Sequence, residues 1–192
     1  MTTETSSGNV RLLTLATYVA VATASGLVLV KFFAWQATGA VSLLSTLLDS
    51  LLDVGASFIN LLAVRHALQP ADEEHRFGHG KAEPLAGLAQ AAFISGSAVF
   101  LLLEAGERLF NPRQVVNADI GYAVMALSVA VTLALVIFQR YVVKKTGSVA
   151  IQADSMHYRM DVLVNISVIG SLFLASQFGW LLADPLFALA IA

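Results

Sequence analysis

The chain reads as an all-α membrane protein, a six-helix transmembrane bundle whose sixth helix is incomplete. Three observations predict this. Of the 192 residues, 57% are hydrophobic and 12% charged, about half the charge of an ordinary soluble domain. The apolar residues fall in runs long enough to cross a bilayer, which takes about 20 residues. Gly, Pro and charged residues gather between those runs.

The opening MTTETSSGN is polar and carries no Lys or Arg, unlike a signal peptide with its basic start. Residues 10–33 follow as a retained spanning helix, charged only at Arg11 and Lys31. The second helix covers about residues 40–68, after Thr38-Gly39. Pro70 ends it, because proline lacks a backbone donor and restricts the residue before it. The third covers about residues 83–110 and stops at Asn111-Pro112. The fourth covers about 120–143 and the fifth about 149–177. The sixth starts near Trp180 or Asp184-Pro185, and the chain stops inside it, so residues 181–192 form only part of a span. The whole is expected to be one membrane domain, residues 1–192, cut from a longer protein. The third helix is rich in small residues, from Ala86 and Gly87 to Ser97 and Ala98. Small residues let helices approach closely in lipid, either within the chain or at a dimer seam.

A net charge of −2 with no run of like charges gives no support to nucleic-acid binding. The absence of cysteine excludes disulfides, thiolate metal sites and a Cys nucleophile. No His-Glu-x-x-His helix and no Gly-x-Ser-x-Gly turn supports a hydrolase. Loop charge sets orientation. With the N-terminus in the cytoplasm, the inner side receives Arg11, Arg65, Arg76, Lys81, Arg140, Lys144 and Lys145. The outer side receives Lys31, Arg108 and Arg113, and seven against three favours this orientation.

An ionised carboxylate in a membrane helix costs about 2.5–3.5 kcal/mol on insertion scales, so such residues are functional candidates. The second helix carries Asp49 and Asp53, and the fifth carries His157 and Asp161. Each pair is spaced i, i+4, which puts both members on one helix face, one turn apart. Asp49 lies about 15 Å from the outer surface and His157 about 12 Å from the inner one, by helical rise. Both positions fall near the middle of a hydrocarbon core about 30 Å thick. Three carboxylates and one imidazole suit zinc in a tetrahedron and admit other first-row divalent ions. The competing reading is plain hydrogen bonding between helices.

A second cluster lies in the loop ADEEHRFGHGKAE. Asp72, His75 and His79 are spaced by three and four, with Gly78 and Gly80 giving a bendable backbone. Two His and one carboxylate leave an open coordination position, as in labile or catalytic zinc sites. A solvated loop is the competing reading.

Other polar residues are assigned lesser roles. Asp154, one turn before His157, is expected to line the cytoplasmic mouth, with helix capping as the alternative. Asn60 reads as a packing or gating residue and His66 as interfacial. Arg159 points about 200° from the His157 face and is not expected at the site.

The stretches LLDSLLDVGASFINLLAVR, LQPADEEHRFGHGKAEPLAGLAQ and QADSMHYRMDVLVN resemble the cation diffusion facilitator family. The resemblance runs over essentially the whole chain. It implies a divalent-cation exporter, a secondary transporter rather than an enzyme, that works by proton antiport in a bacterial inner membrane. Asp49, Asp53, His157 and Asp161 would form the transport site, and Asp72, His75 and His79 a second site. The transported ion would be Zn²⁺, with Fe²⁺, Cd²⁺ or Mn²⁺ as alternatives, and protons the counter-ion. The family also has a cytoplasmic C-terminal domain that helps a homodimer form, which this sequence does not reach. Lys81 matches a family lysine implicated in an interdomain salt bridge, and Arg159 stands where the family would be expected to have a neutral residue. The rival reading is a membrane metal sensor or structural partner that uses the same sites without transport.

Overall fold

The computed structural model describes residues 7–38, 41–110, 118–178, 182, 186–187 and 189–190. Among the described residues all regular structure is helical: α1 (Ser7–Thr38), α2 (Val41–Ala67), α3 (Ala82–Phe110), α4 (Ala118–Thr146) and α5 (Val149–Phe178). The helices outrun their apolar centres because polar turns continue them at the ends. Lys144 and Lys145 sit in the last turn of α4, where cations favour the negative end of a helix. The sixth helix expected over residues 181–192 lies largely outside the described residues. Within it, Leu186 N–H donates to the Leu182 carbonyl at 3.2 Å, and Phe187 packs 3.7 Å from where a Cβ on Gly170 would stand.

α1, α2, α3 and α4 are each long and apolar enough to cross a membrane. α5 has 30 residues, about 45 Å of helix, but carries Asp154, Arg159 and Asp161 in its first half. Exposed Leu, Phe, Ile and Val side chains such as Leu29, Phe33, Leu52, Phe58 and Ile137 cover the outside, as a lipid-facing surface requires.

The helices close into a ring. α1 packs on α2 and α4, α3 on α2 and α5, and α4 on α5. α2 and α5 meet more sparsely across the ring. At one end all five helices converge on a single apolar cluster: Leu13 and Ala16 of α1, Val64 of α2, Ala86 of α3, Val142 of α4, and Ala150 and Ile151 of α5. That end holds the starts of α1, α3 and α5 and the finishes of α2 and α4.

The small residues of α3 divide. Gly87 allows close approach to α5, since a Cβ there would stand 3.2 Å from Val149 Cγ1. Ser95, Gly96 and Ser97 are exposed. The turn from α4 to α5 takes two residues. Gly147 adopts φ +69°, a left-handed conformation that costs other residues strain, and its N–H closes on the Val143 carbonyl at 2.8 Å. Ser148 then caps α5, its Oγ accepting from Ile151 N–H at 3.2 Å. Glu83 Oε1 also accepts from Ala150 N–H at 3.5 Å, which ties α3 to the positive end of α5.

Candidate functional site

Capping and the tight α4–α5 turn fix the rotation of α5, and with it the direction of His157. The imidazole Nε2 lies 3.0 Å from Asp53 Oδ1 on α2 and 3.8 Å from Asp161 Oδ2 one turn along α5. The three ligand atoms all lie within 4.8 Å of one another. Ligands about 2.1 Å from a tetrahedral zinc stand about 3.4 Å apart, so the two His157 distances bracket what an ion would need. Asp161 Oδ2 is buried and accepts no hydrogen bond in the described structure. A buried acceptor without a donor is costly, and a cation or proton relieves that cost.

Of the four intramembrane candidates, the structure brings Asp53, His157 and Asp161 together. Asp49 is exposed one turn earlier on α2 and does not share the trio's mutual 4.8 Å spacing. Its charge acts on Lys31, as do those of Asp53 and Asp161.

The loop candidates Asp72, His75 and His79 also converge, again with ligand atoms within 4.8 Å. Asp72 Oδ1 lies 3.4 Å from His75 Nδ1, and Oδ2 lies 3.3 Å from His79 Nε2. Asp72 Oδ1 also accepts the His75 backbone N–H at 2.6 Å, which pins the loop. That N–H holds the Asp72 carboxyl below its ordinary pKa, with the charges of His79 and His75 assisting. Gly78 makes the next bend at φ 78°, and its N–H donates to the His75 carbonyl at 2.8 Å. His79 is buried while Asp72 and His75 are half-exposed, so the cluster is walled on one side and open on the other.

The other polar residues singled out in the sequence fall as follows. His66, read as interfacial, stacks edge-on to His79 with ring centroids 4.4 Å apart. Asp154 lines no open mouth and caps no helix end. It is fully buried, with Gln90 Nε2 donating to Oδ1 at 3.0 Å and Gln139 Nε2 to Oδ2 at 2.6 Å. Gln90 also donates to the Ala56 carbonyl at 3.3 Å, so this carboxylate knits α2, α3, α4 and α5 together. Nearby, Ser57 Oγ and Tyr158 OH are 2.6 Å apart and join α2 to α5. Arg159 lines a separate groove with Arg140, Lys144 and Gln152, away from His157.

Lys31 departs most from its reading as an outer loop charge. It is 6% exposed inside the bundle, and Nζ donates to Ser50 Oγ at 2.7 Å and to the Thr46 carbonyl at 3.2 Å. Removing it from the charge count leaves seven residues expected on the inner side against two expected on the outer, Arg108 and Arg113. A basic residue near the end of an apolar run looks the same in sequence whether it snorkels outward or turns inward.

The chain is similar to the cation-efflux pump FieF of Klebsiella pneumoniae, at 54% identity over 181 residues. The matched region is 94% of this chain and 60% of that protein. FieF of Salmonella choleraesuis (strain SC-B67) is 51% identical over the same share of each. The chain thus spans about 60% of the length of the relatives it matches. Residues 17–192 match the cation efflux transmembrane domain. With that match covering most of its length, the chain belongs to the cation efflux transmembrane domain family.

Proposed function

We propose that this chain is the membrane domain of a secondary transporter, not an enzyme, that exports divalent metal cations, zinc foremost, in exchange for protons. The observation that carries the reading is the convergence of Asp53, His157 and Asp161 from two helices inside the bundle. Asp49 supplies a fourth ligand from the same face of α2. The printed names of the relatives, cation-efflux pumps, support outward transport.

The chemistry couples the two fluxes through the same atoms. A metal takes the imidazole neutral and the carboxylates ionised, so binding releases protons. When the site faces the side of higher proton activity, protons compete for those ligands and expel the metal. Helices that rock around a site near the bilayer middle give alternating access. With the N-terminus in the cytoplasm, the apolar cluster of Leu13, Ala16, Val64, Ala86, Val142, Ala150 and Ile151 lies towards the inner side. Asp72, His75 and His79 form a second metal site at the cytoplasmic mouth, open enough for exchange.

The complete protein is proposed to work as a homodimer in the bacterial inner membrane. Proteoliposomes loaded with a pH indicator test the reading. Zinc should drive proton movement, and Asp53→Ala or His157→Ala should abolish it. Undiminished coupling in either variant would refute the site. Metal binding with no flux in the wild type would instead favour a sensor.

A further inference from the structure

Lys31 is a buried cation that the four-ligand set leaves unused. Its acceptors, Ser50 Oγ and the Thr46 carbonyl, lie one turn apart on α2, and Ser50 stands between Asp49 and Asp53 in the chain. The carboxylates acting on its charge are, strongest first, Asp53, Asp49 and Asp161. These are the three carboxylates of the proposed transport site. Burial of the ammonium is the largest effect on it and a costly one, and two oxygen acceptors and three carboxylates offset that cost only in part. An ammonium has no lone pair, so Lys31 cannot bind the metal. It can act only through its charge and its tether to α2.

We propose that Lys31 is a specificity-determining residue, a fixed positive charge that matches the site to one divalent cation and keeps it releasable. This rests on the reading of Asp49, Asp53, His157 and Asp161 as the transport site. The charges of Asp49, Asp53 and Asp161 sum to −3, and Lys31 brings the site to −2. One divalent cation with a neutral imidazole then leaves no net charge on the set of Asp49, Asp53, Asp161, His157 and Lys31. Without Lys31 the same cation leaves −1, an uncompensated charge in a low-dielectric place. Lys31 also repels the bound cation, and that repulsion is only weakly screened in the interior. It therefore lowers affinity and speeds release. Its neutral replacement should hold the metal more tightly and turn over more slowly.

The test uses the chain with its loop site removed by Asp72→Ala and His79→Ala, and compares Lys31→Gln, Lys31→Met and Lys31→Arg. Lys31→Gln keeps a donor for Ser50 while losing the charge. Zinc affinity is measured by chelator competition and zinc flux in proteoliposomes. Both neutral variants should bind zinc at least about tenfold more tightly, with lower KM and lower kcat. Lys31→Arg should behave like the parent. A purely structural tether would weaken binding when cut, so equal or weaker affinity in the neutral variants overturns the proposal. Failure of both neutral variants to fold, while the arginine variant folds, overturns it equally by making the charge a structural requirement. Asp53→Asn separates the two readings. If it leaves zinc affinity unchanged, the transport site itself is misassigned. If it abolishes binding while the neutral Lys31 variants bind no tighter, only the role of Lys31 falls.

Discussion

His157 Nε2 on α5 stands 3.0 Å from Asp53 Oδ1 on α2, across a ring whose other contacts run mainly between neighbours. The two residues are 104 positions apart in the chain. Their contact is set by the cap at Ser148, the turn at Gly147 and the packing of α3 and α4 against α5. Anything that rotates α5 by a few degrees moves the imidazole away from the carboxylate.

The imidazole at this position should set metal preference. His157→Asp replaces a nitrogen donor with a harder oxygen donor, which suits Mn²⁺ better relative to Zn²⁺. Competitive uptake of the two ions into proteoliposomes should shift towards Mn²⁺ by roughly tenfold or more. Unchanged selectivity would argue that His157 never touches the ion.

The loop cluster should bind its own ion. Equilibrium dialysis of the purified chain with zinc should give two ions per chain, and His79→Ala should reduce this to one. His79 is the buried member of the cluster and its Nδ1 has no hydrogen-bond partner in the described structure, so its loss should cost more affinity than His75→Ala. Two ions retained by His79→Ala would contradict the loop site.

Asp72 gives the loop a defined acid limit without metal. Its folded pKa is lowered, first by the His75 backbone N–H. The unfolded value is about 3.9, so the contact stabilises the loop at all pH above that and loses its effect as pH falls through the lower folded value. Carboxyl-carbon NMR should show an Asp72 midpoint below about 3.9. A midpoint at or above it would deny the contact.

The amide cradle around Asp154 should be structural in the first instance. Gln139→Leu removes the donor 2.6 Å from Oδ2 and leaves a buried carboxyl oxygen without it. The loss should be about 1–3 kcal/mol of stability, read as a lower thermal unfolding temperature in detergent. Gln139→Glu, which removes the amide donor and adds a second acidic group, should be worse still. An unchanged unfolding temperature in Gln139→Leu would mean that Gln90 alone satisfies the carboxylate.

Helix geometry can be probed apart from the sites. Ser148→Ala should cost about 1 kcal/mol through the lost cap. Gly87→Ile should cost about 1–3 kcal/mol by overpacking α3 against Val149. Gly87→Ala should be tolerated, because Val149 is half-exposed and can shift by a few tenths of an ångström. Equal melting of Gly87→Ile and wild type would show that α3 and α5 do not approach as described.

The all-helical membrane class is legible in the chain alone, because long apolar runs and their Gly/Pro breaks are properties of neighbours in the chain. The chain alone also named seven ligand candidates: four from i, i+4 spacing, which puts side chains on one helix face whatever the helix packs against, and three from a loop bearing Asp and His. Which face turns inward follows from the packing of the helices. That packing grouped Asp53, His157 and Asp161 and left Asp49 outside that trio. It turned Lys31 from an apparent loop charge into a buried cation on Ser50, set His66 beside His79, and enclosed Asp154 between Gln90 and Gln139. Spacing along one helix carries no information about its rotation against the next. That rotation comes from close packing, such as Gly87 on Val149, and from the turn at Gly147 and Ser148 that aims α5.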